Sequence, residues 1–282
     1  MKNWNKIIID RSNKIKKIYK PKNYKDFSNE MGGYDFSEYY KNKESFFTFY
    51  FTKRYLIWQK YLEKNLKPSE KTLSIASGRG INELTLISKN FNIACSDLEI
   101  PNCYEHSKKL FGNFNYFKLN ILTDTVNDNF NNIYSISACY IFSNQELEIF
   151  FTNVKKMLNK DGILILDFGG GENNLTSFFF NDVYLILETY FIFFLSKIFN
   201  KKIGFKFDSN FGYRRSNKEI INFASKMGFE FISLDEYDYL TEVQRSILIR
   251  KVIEFFPPSK YFFSLFGRLI PYVRMFKFKQ KI

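Results

Sequence analysis

Residues 71–168 alternate short apolar runs with longer amphipathic stretches, and this alternation constrains the fold more than any other feature of the chain. The short runs predict β-strands, whereas the longer stretches repeat apolar residues every three or four positions, as helices do. The predicted strands are residues 73–76, 92–96, 116–119, 133–138 and 163–167, and the predicted helices between them are residues 81–89, 103–111 and 144–158. Strands that alternate with helices predict a doubly wound α/β fold with a parallel sheet.

The pattern on either side of this region extends the same fold. We expect helices at residues 177–199 and 216–227, a strand at 229–234, a helical insertion at about 243–270 and a final antiparallel strand at 272–280. The run from Phe46 to Leu62 suits a helix that Pro68 ends. We therefore expect a basic N-terminal arm and helix over residues 1–66. One domain with a mostly parallel seven-stranded sheet would occupy residues 67–282, with helical lids at about 174–203 and 243–270.

The predicted helix 177–199 has sixteen apolar residues among twenty-three. Its polar residues all fall on one stripe of a helix, which gives it a narrow polar edge. Asp182 and Glu188 interrupt the apolar run, so the segment is not a clean transmembrane span. A packed lid or a dimer face is the favoured interpretation, and a contact with lipid is the alternative.

The chain of 282 residues has a formal net charge of +13, and the excess lies at its ends. Residues 1–25 carry nine basic groups and one acid, and residues 250–282 carry eight and one, so the middle of the chain has a net charge of −2. Part of the lysine excess is typical of an AT-rich genome, whose codons favour lysine. The basic ends favour an anionic partner, whereas the nearly neutral middle does not.

Cysteine and histidine contents limit the chemistry. Three cysteines leave an odd thiol, so no disulfide framework is expected and a reducing compartment is the simpler interpretation. His106 is the only histidine, which argues against a histidine-based metal centre or a Ser-His-Asp triad. The basic start is not followed by an apolar segment, so we expect no secretory signal and a cytoplasmic location.

A glycine-containing turn follows the first predicted strand, and an acid ends the second. Small residues from Ser74 to Gly80 allow the backbone to pass close to a ligand. Asp97 is placed to accept hydrogen bonds from the two hydroxyls of a ribose. Glu83 stands where the dinucleotide fingerprint needs its third glycine, which disfavours NAD and FAD. The pattern indicates a cofactor that contains a nucleoside.

These residues resemble the class I S-adenosylmethionine-dependent methyltransferases, over roughly residues 71–168 and more faintly over 216–234. Ser74 replaces the usual acid of their first motif and Ala76 its first glycine, whereas Asp97 matches the ribose-binding acid. Asn120 matches the polar residue that usually meets the adenine amino group. The resemblance implies a Rossmann-like fold, S-adenosylmethionine as cofactor, and these cofactor-binding residues: Ser74, Ala76, Ser77, Gly78, Arg79, Gly80, Asp97, Leu98, Asn120, Ile121, Cys139 and Tyr140.

The resemblance also implies a mechanism in which positioning provides most of the acceleration, because a sulfonium is a good leaving group. An acceptor that loses a proton needs a base, and the candidates at strand ends are Tyr140 and Asp167. Tyr213, Arg214 and Arg215 are candidates for acceptor binding from a lid. Each has a structural alternative: Asp167 as a turn residue, Tyr140 as core, and the arginines as a solvated pair.

We expect methyl transfer to a small or lipid-linked acceptor, with saccharides included, because additions after the fifth strand tend to roof the acceptor site in this fold. RNA methylation is an alternative, favoured by the basic ends and disfavoured by the lack of an Asn-Pro-Pro-type motif after the fourth strand. A non-catalytic scaffold is a third, and Ser74 and Ala76 are its best support. The acceptor and the oligomeric state stay open.

The stretch 258–270 predicts an amphipathic helix with an apolar face, bordered by Lys260 and Arg268. Such a helix can lie on an anionic bilayer, and Lys14, Lys16 and Lys17 of the N-terminal arm would add to the attraction. The alternative is that this face packs on the sheet or on a second subunit. Peripheral membrane association is therefore a hypothesis at this point. The apolar residues of the predicted face are Tyr261, Phe262, Leu265, Phe266, Leu269 and Ile270.

Overall fold

A computed structural model of the chain describes residues 40–50, 53–169, 172–198 and 213–281. Within these ranges the chain forms two compact units. One unit contains residues 40–168, 221–235 and 275–281, and the other contains the described residues of 169–220 and 236–274. The predicted domain boundary at residues 66 and 67 stays a prediction. The arm lysines Lys14, Lys16 and Lys17 lie outside the described residues.

The described strands form one seven-stranded sheet in the order β3-β2-β1-β4-β5-β7-β6. The strands are β1 Thr72–Ile75, β2 Ile93–Asp97, β3 Asn115–Lys118, β4 Phe130–Ser135, β5 Leu158–Asp167, β6 Phe229–Tyr237 and β7 Val273–Gln280. Strands β1 to β5 pair in parallel, and β7 pairs antiparallel with β5, with Asp167 opposite Met275. The predicted seven-stranded, mostly parallel, doubly wound sheet is confirmed, including its antiparallel last strand.

Strands β4, β5 and β6 differ from their predicted limits by three or more residues, whereas the limits of the other four lie within one residue of the prediction. Strand β4 covers Phe130–Ser135 rather than residues 133–138, because two asparagines directly after Phe130 hide the strand in the sequence. One of them, Asn132, is buried and donates a hydrogen bond to Glu70 at 3.0 Å. Strand β5 begins at Leu158, directly after the preceding helix, so residues 159–162, which the prediction left between helix and strand, belong to the strand. Strand β6 extends to Tyr237 instead of residue 234.

The helices fill the connections that the alternating pattern predicts. Their limits are α1 Lys43–Tyr50, α2 Lys53–Asn65, α3 Ile81–Ile87, α4 Tyr104–Phe111, α5 Asn144–Met157, α6 Leu185–Ile198, α7 Asn217–Lys226, α8 Ile247–Phe255 and α9 Ser259–Gly267. Helix α5 shows how clearly the sequence marks some of these ends. Ser143 accepts a hydrogen bond from the backbone of Glu146, whose side chain accepts one from the backbone of Ser143, a complete capping box.

The core of the unit that carries β1 to β5 consists of the apolar strand residues and the helix faces packed on them. Strand residues such as Leu73, Ile133 and Leu164 are fully buried. On α5, Phe150 and Phe151 are buried and pack edge to face with ring centroids 5.7 Å apart. The apolar side chains of α5 occur at helical spacing, so the sequence pattern locates this face correctly.

The predicted helix 177–199 is a longer and less regular helical stretch. It comprises a turn at Leu175–Ser177, a π-helical segment at Phe178–Tyr184 and then α6. Leu175–Leu195 is long and apolar enough to cross a bilayer by length and composition alone. Of the 18-residue apolar stretch within it, 28% is buried in the structure. The end of the predicted lid, residues 199–203, lies outside the described residues.

The predicted helical insertion at 243–270 is confirmed as a 3₁₀ turn at Val243–Arg245 followed by α8 and α9. The apolar face predicted for residues 258–270 is wrong in part. Ile270 is buried, and Phe266 packs against the small cluster that Ile270 forms with Phe180 and Val243. Tyr261, Phe262, Leu265 and Leu269 of the same predicted face are exposed. The face therefore divides into an inward and an outward part.

Candidate functional site

The glycine turn joins the carboxyl end of β1 to the start of α3. Gly78 and Gly80 have φ angles of +58° and +70°, in the left-handed region that glycine tolerates best. Ala76 has a φ of +58° as well, which costs a residue with a Cβ atom about 1–2 kcal/mol. A Cβ added at Gly78 would meet no atom within 4 Å. The turn therefore has an open side on which a ligand can approach the backbone.

Ser77 and its neighbours fix the turn from beneath. The Ser77 hydroxyl donates to the carbonyl of Ser74 at 3.2 Å and accepts from the backbone N–H of Ser96 at 3.1 Å. The hydroxyl of Tyr116, on β3, donates to the carbonyl of Gly78 at 2.6 Å. Hydrogen bonds from two neighbouring strands therefore hold the turn. Tyr116 was not predicted from the sequence, because an aromatic residue in a strand looks like ordinary core.

Asp97 ends β2, as predicted, and its carboxylate is bound to the glycine turn. One oxygen accepts a hydrogen bond from the backbone N–H of Gly78 at 2.7 Å, and the other accepts from the N–H of Leu98 at 2.7 Å. Burial raises the pKa of Asp97 above its ordinary value, and the two N–H donors oppose that rise. The acid predicted to bind a ribose thus lies directly beside the turn predicted to bind the rest of the cofactor.

Glu83 provides a second carboxyl group next to the turn. In the sequence this residue is notable only because it stands where a dinucleotide-binding motif would have a glycine. It is buried in the first turn of α3, and its Oε1 accepts hydrogen bonds from Ser74 at 2.7 Å and from the hydroxyl of Tyr134 at 2.9 Å. Burial raises the pKa of Glu83, and these hydrogen bonds oppose the rise. The sequence signal near this contact is Ser74, which replaces the acid that is usual in the methyltransferases the chain resembles.

Asn120 and Ile121 follow β3, where the resemblance places the adenine contact. The side-chain oxygen of Asn120 accepts a hydrogen bond from the N–H of Leu122 at 3.2 Å, so it closes a local turn. Ile121 is buried, and its carbonyl accepts from the side-chain amide of Asn153 at 2.9 Å. Leu98 is exposed, and Arg79 is half-buried in the glycine turn. The side chain of Leu98 is thus available to a flat ligand lying on this edge.

Cys139 and Tyr140 lie in a 3₁₀ turn at Cys139–Ile141 rather than at the end of a strand, because β4 ends at Ser135. The chain leaves the strand through Ser137, which has a φ of +54°. Cys139 is fully buried, and Tyr140 is half-buried. Both residues therefore lie several positions beyond the end of the strand, in the connection that follows β4.

Asp167 ends β5 and is fully buried. Its carboxylate accepts a hydrogen bond from the Ser137 hydroxyl at 3.2 Å, so the connections after β4 and β5 meet at this point. Because β1, β2, β4 and β5 run in parallel, their carboxyl ends share one edge of the sheet. The glycine turn, Asp97 and Asp167 therefore occupy the same edge, where open α/β sheets bind their ligands.

Tyr213, Arg214 and Arg215 belong to the other compact unit. Arg214 forms an ion pair with Asp182 at 2.6 Å. Arg215 is buried, and its guanidinium lies 5.2 Å from the ring centre of Tyr213. Both arginines therefore have partners within their own unit, and their role in acceptor binding stays a prediction.

The residues of the sheet edge fit a nucleoside cofactor. The open side of Gly78 leaves room for a ligand against the backbone, and Asp97 offers carboxylate oxygens of the kind that accept from ribose hydroxyls. Glu83 stands in the first turn of α3, at the position where the dinucleotide fingerprint has its third glycine. The arrangement thus favours a nucleoside cofactor without a pyrophosphate group.

Solved structures with the same architecture are similar to this chain at low sequence identity. The 1,6-didemethyltoxoflavin-N1-methyltransferase of Burkholderia thailandensis, with 1,6-didemethyltoxoflavin and S-adenosylhomocysteine bound, has 8% identity, a TM-score of 0.54 and 95% of each chain covered. The cyclopropane synthase MmaA2 of Mycobacterium tuberculosis has 16% identity and a TM-score of 0.51, covering 80% of this chain and 84% of that one.

The magnesium protoporphyrin IX methyltransferase ChlM of Synechocystis PCC 6803, with S-adenosylhomocysteine bound, has 10% identity and a TM-score of 0.50, covering 81% of this chain and 82% of that one. No protein-family model and no curated protein sequence matches the chain. The strand order and these neighbours define the fold as that of the class I S-adenosylmethionine-dependent methyltransferases.

Proposed function

We propose that the protein is a methyltransferase that uses S-adenosylmethionine to methylate a small or lipid-linked acceptor, saccharides included. The observation that carries the proposal is the joining of Asp97 to Gly78 at 2.7 Å, beside a turn with an open side. In this fold that pair lies where a nucleoside cofactor binds. Structure neighbours that hold S-adenosylhomocysteine support the same assignment.

Several residues would hold the cofactor. The backbone of the glycine turn would contact its amino-acid part, and the Asp97 carboxylate would accept hydrogen bonds from the ribose hydroxyls. The half-buried Asn120 and the exposed Leu98 would flank the adenine. Bound S-adenosylmethionine supplies a methyl group on a sulfonium. The residues of the chain then need to orient the acceptor in line with that methyl group and exclude water from it.

A hydroxyl or amine acceptor must also lose a proton, and the chain offers two groups for it. Asp167 is buried at the end of β5 and receives a hydrogen bond from Ser137. Tyr140 is half-buried in the connection after β4. General-base assistance typically accelerates a reaction by about 10²–10⁴-fold. Asp167→Asn or Tyr140→Phe should lower turnover within that range if the residue takes the proton, while cofactor affinity stays near that of the unaltered protein.

The non-catalytic alternative loses its best support from the Ser74–Glu83 hydrogen bond. The scaffold hypothesis rested on the loss of an acid at position 74. The Glu83 carboxylate lies 2.7 Å from the Ser74 hydroxyl, so the carboxylate is displaced along the chain rather than lost. Ala76 keeps the left-handed backbone that a glycine would adopt. Both substitutions therefore keep the geometry of the turn.

Calorimetric titration of the full chain with S-adenosylmethionine and S-adenosylhomocysteine tests the cofactor assignment. We expect saturable binding of one molecule of either compound. A folded protein, verified by circular dichroism, that binds neither compound would overturn the proposal. Transfer of a labelled methyl group to panels of small hydroxylated compounds, saccharides and lipid-linked saccharides then identifies the acceptor class, with RNA as the comparison substrate. Methylation of RNA alone would replace the proposed acceptor class with the alternative.

A further inference from the structure

The helical stretch from Leu175 to α6 has its polarity reversed relative to a helix of a water-soluble protein. Its polar residues Ser177, Asn181 and Glu188 are buried. On its outer side, α6 exposes a row of large apolar residues at the i, i+3, i+4, i+7 spacing of one helix face. That row consists of Leu187, Tyr190, Phe191, Phe194 and Ile198, and each has between 46% and 61% of its surface exposed.

Asp182 and Glu188, the two acids that interrupt the apolar run, both bind partners within the unit. Both oxygens of Glu188 accept from the start of α8: from the N–H of Leu248 at 2.7 Å and from that of Ile247 at 3.3 Å. The hydroxyl of Ser246 also donates to Glu188 at 2.7 Å. Asp182 forms its ion pair with Arg214. Neither acid therefore faces outward, and the outer face of α6 presents no carboxylate.

Helices α8 and α9 also expose large apolar side chains, although their inward residues are apolar too. Their inward residues Ile249, Phe263 and Phe266 pack on a small cluster of Phe180, Leu185, Val243 and Ile270. Their outward faces are apolar and include Phe255, which is 94% exposed, and Tyr261, which is 80% exposed. Sixteen of the twenty-two exposed large apolar side chains in the described part of the chain belong to this helical unit. Such a concentration marks an interaction surface.

We use "outward face" for the exposed large apolar side chains of this unit taken together; they lie in residues 175–184, on α6, and on or next to α8 and α9.

The exposed charges on the same helices are almost all positive. Lys197 on α6, Arg250 and Lys251 on α8, Lys260 on α9 and Arg268 just after it are exposed. Glu254 is the exposed acid of α6, α8 and α9, and it pairs with Lys251. Aromatic and aliphatic side chains bordered by cations complement a surface that is apolar inside and negatively charged outside.

We infer that the outward face binds the surface of a bilayer containing anionic phospholipids, with the apolar side chains inserted among the lipids and the cations at the headgroups. The acids of the α6 stretch are held by α8 and by Arg214, so the stretch is built into the unit rather than free to span the bilayer. A position of the unit at the bilayer surface agrees both with its exposed apolar and cationic side chains and with a helical stretch that is fixed within the unit. This inference goes beyond methyl transfer and does not depend on it.

Vesicle flotation of the full chain tests the inference, with phosphatidylcholine vesicles compared with vesicles that also contain phosphatidylglycerol. We expect binding to both at low salt, stronger with phosphatidylglycerol and weakened by salt. The variant Phe191→Gln/Phe262→Gln should bind vesicles at least about tenfold more weakly, because it loses the free energy gained when the two phenyl rings move from water into the lipid. The matched control Leu56→Gln/Ile149→Gln removes exposed apolar residues of the other unit and should bind as the unaltered chain does.

Charge reversal separates the electrostatic contribution. Lys260→Glu/Arg268→Glu should abolish the preference for phosphatidylglycerol, whereas Lys64→Glu/Lys109→Glu should keep it. Absence of flotation at low salt, or equal flotation of the Phe191→Gln/Phe262→Gln variant, overturns the inference. A dimer in sedimentation velocity that this variant dissociates, combined with no vesicle binding, would assign the face to a second copy of the chain instead. Cofactor affinity, measured in parallel, reports on the proposed methyltransferase separately.

Discussion

The side chains of Ser74 and Glu83 are joined by a hydrogen bond of 2.7 Å, in which the serine hydroxyl donates to the carboxylate. Ser74 lies in β1 and Glu83 in the first turn of α3, on the two sides of the glycine turn. Similar chains are expected to place an acid at the position of Ser74. Here the helix, rather than the strand, supplies the carboxyl group next to the turn.

This displaced carboxylate makes stability depend on pH. Burial raises the pKa of Glu83 above its ordinary value of 4.5, so the folded protein favours the protonated form. The resulting stabilisation is fully present below the ordinary pKa and is lost as the pH rises through the raised one. Glu83→Gln should remove that loss, and the free energy of unfolding of the unaltered protein should fall relative to the variant as the pH rises above the ordinary pKa of 4.5.

Denaturant unfolding at a series of pH values measures this difference. Glu148→Gln, which removes an exposed carboxyl group of α5, is the matched control. A Glu83→Gln profile parallel to that of the unaltered protein would show that Glu83 does not titrate with a raised pKa.

Asp97→Ala should weaken binding of S-adenosylmethionine by about 2–3 kcal/mol, because it removes charge-assisted hydrogen bonds to the ribose. It also leaves the N–H groups of Gly78 and Leu98 without their carboxylate, so thermal melting must verify that the variant is folded. Calorimetry gives the affinity. Asp128→Ala, at an exposed ion pair with Lys71, is the control. Equal affinity of Asp97→Ala and the unaltered chain would contradict the placement of the ribose.

Gly78→Ala and Gly112→Ala form a matched pair. Both glycines have positive φ angles, and a Cβ at either would meet no atom within 4 Å. Gly78→Ala should therefore lose about 1–2 kcal/mol of stability from backbone strain alone. Gly112→Ala should lose at least as much, because Gly112 combines its positive φ with a ψ of −174°, a region that essentially only glycine occupies. Only Gly78→Ala should also weaken cofactor binding, by about tenfold or more, because its methyl group would occupy the open side of the turn. Undiminished cofactor affinity in Gly78→Ala would move the ligand away from this turn.

Ala76→Gly should stabilise the protein by up to about 1 kcal/mol, because glycine relieves the left-handed strain at this position. Ala138 has a φ of −124°, so Ala138→Gly gains no such relief and should destabilise by about 0.5–1 kcal/mol. Chemical denaturation of both variants decides the point. Destabilisation of similar size in both would mean that Ala76 is not strained.

Glu188→Ala should destabilise the start of α8 by about 1–2 kcal/mol, since that helix loses the carboxylate that accepts from its first N–H groups. Hydrogen exchange should show faster exchange of the α8 amides, with the α5 amides unaffected. Ser143→Ala, which removes the cap of α5, should give the reverse pattern. Unchanged exchange in α8 would show that the Glu188 contact adds nothing to the stability of the helix.

The strand-and-helix alternation and Asp97 were predictable because they depend on local patterns. Strand β2 ends at Asp97 as expected, since a polar residue after a buried run marks the edge of a parallel sheet. Strand β4 was misplaced because its first half contains Asn131 and Asn132, whose polarity hides a strand that pairs on both sides. The limits of β4 depend on its pairing with β1 and β5, which are distant in sequence, and a local sequence pattern does not show such pairing.

The contacts that complete the candidate site were not predictable for the same reason. Glu83 and Tyr134 are fifty-one positions apart, and only the fold shows that they share a hydrogen bond. The polarity of α6 was visible as a stripe, but its direction was not. Whether Glu188 points inward depends on α8, which lies about sixty positions further along the chain.

Strands β6 and β7 are neighbours in the sheet, and the whole run from Asp238 to Tyr272 lies between them. An excursion that leaves and re-enters the sheet at adjacent strands can change in length and composition without altering the order of the strands. The surface carried by α8 and α9 can therefore diverge among relatives at a different rate from the strand edge formed by β1, β2, β4 and β5. The proposed contact with lipid and the proposed methyl transfer are then traits that mutation can alter one at a time.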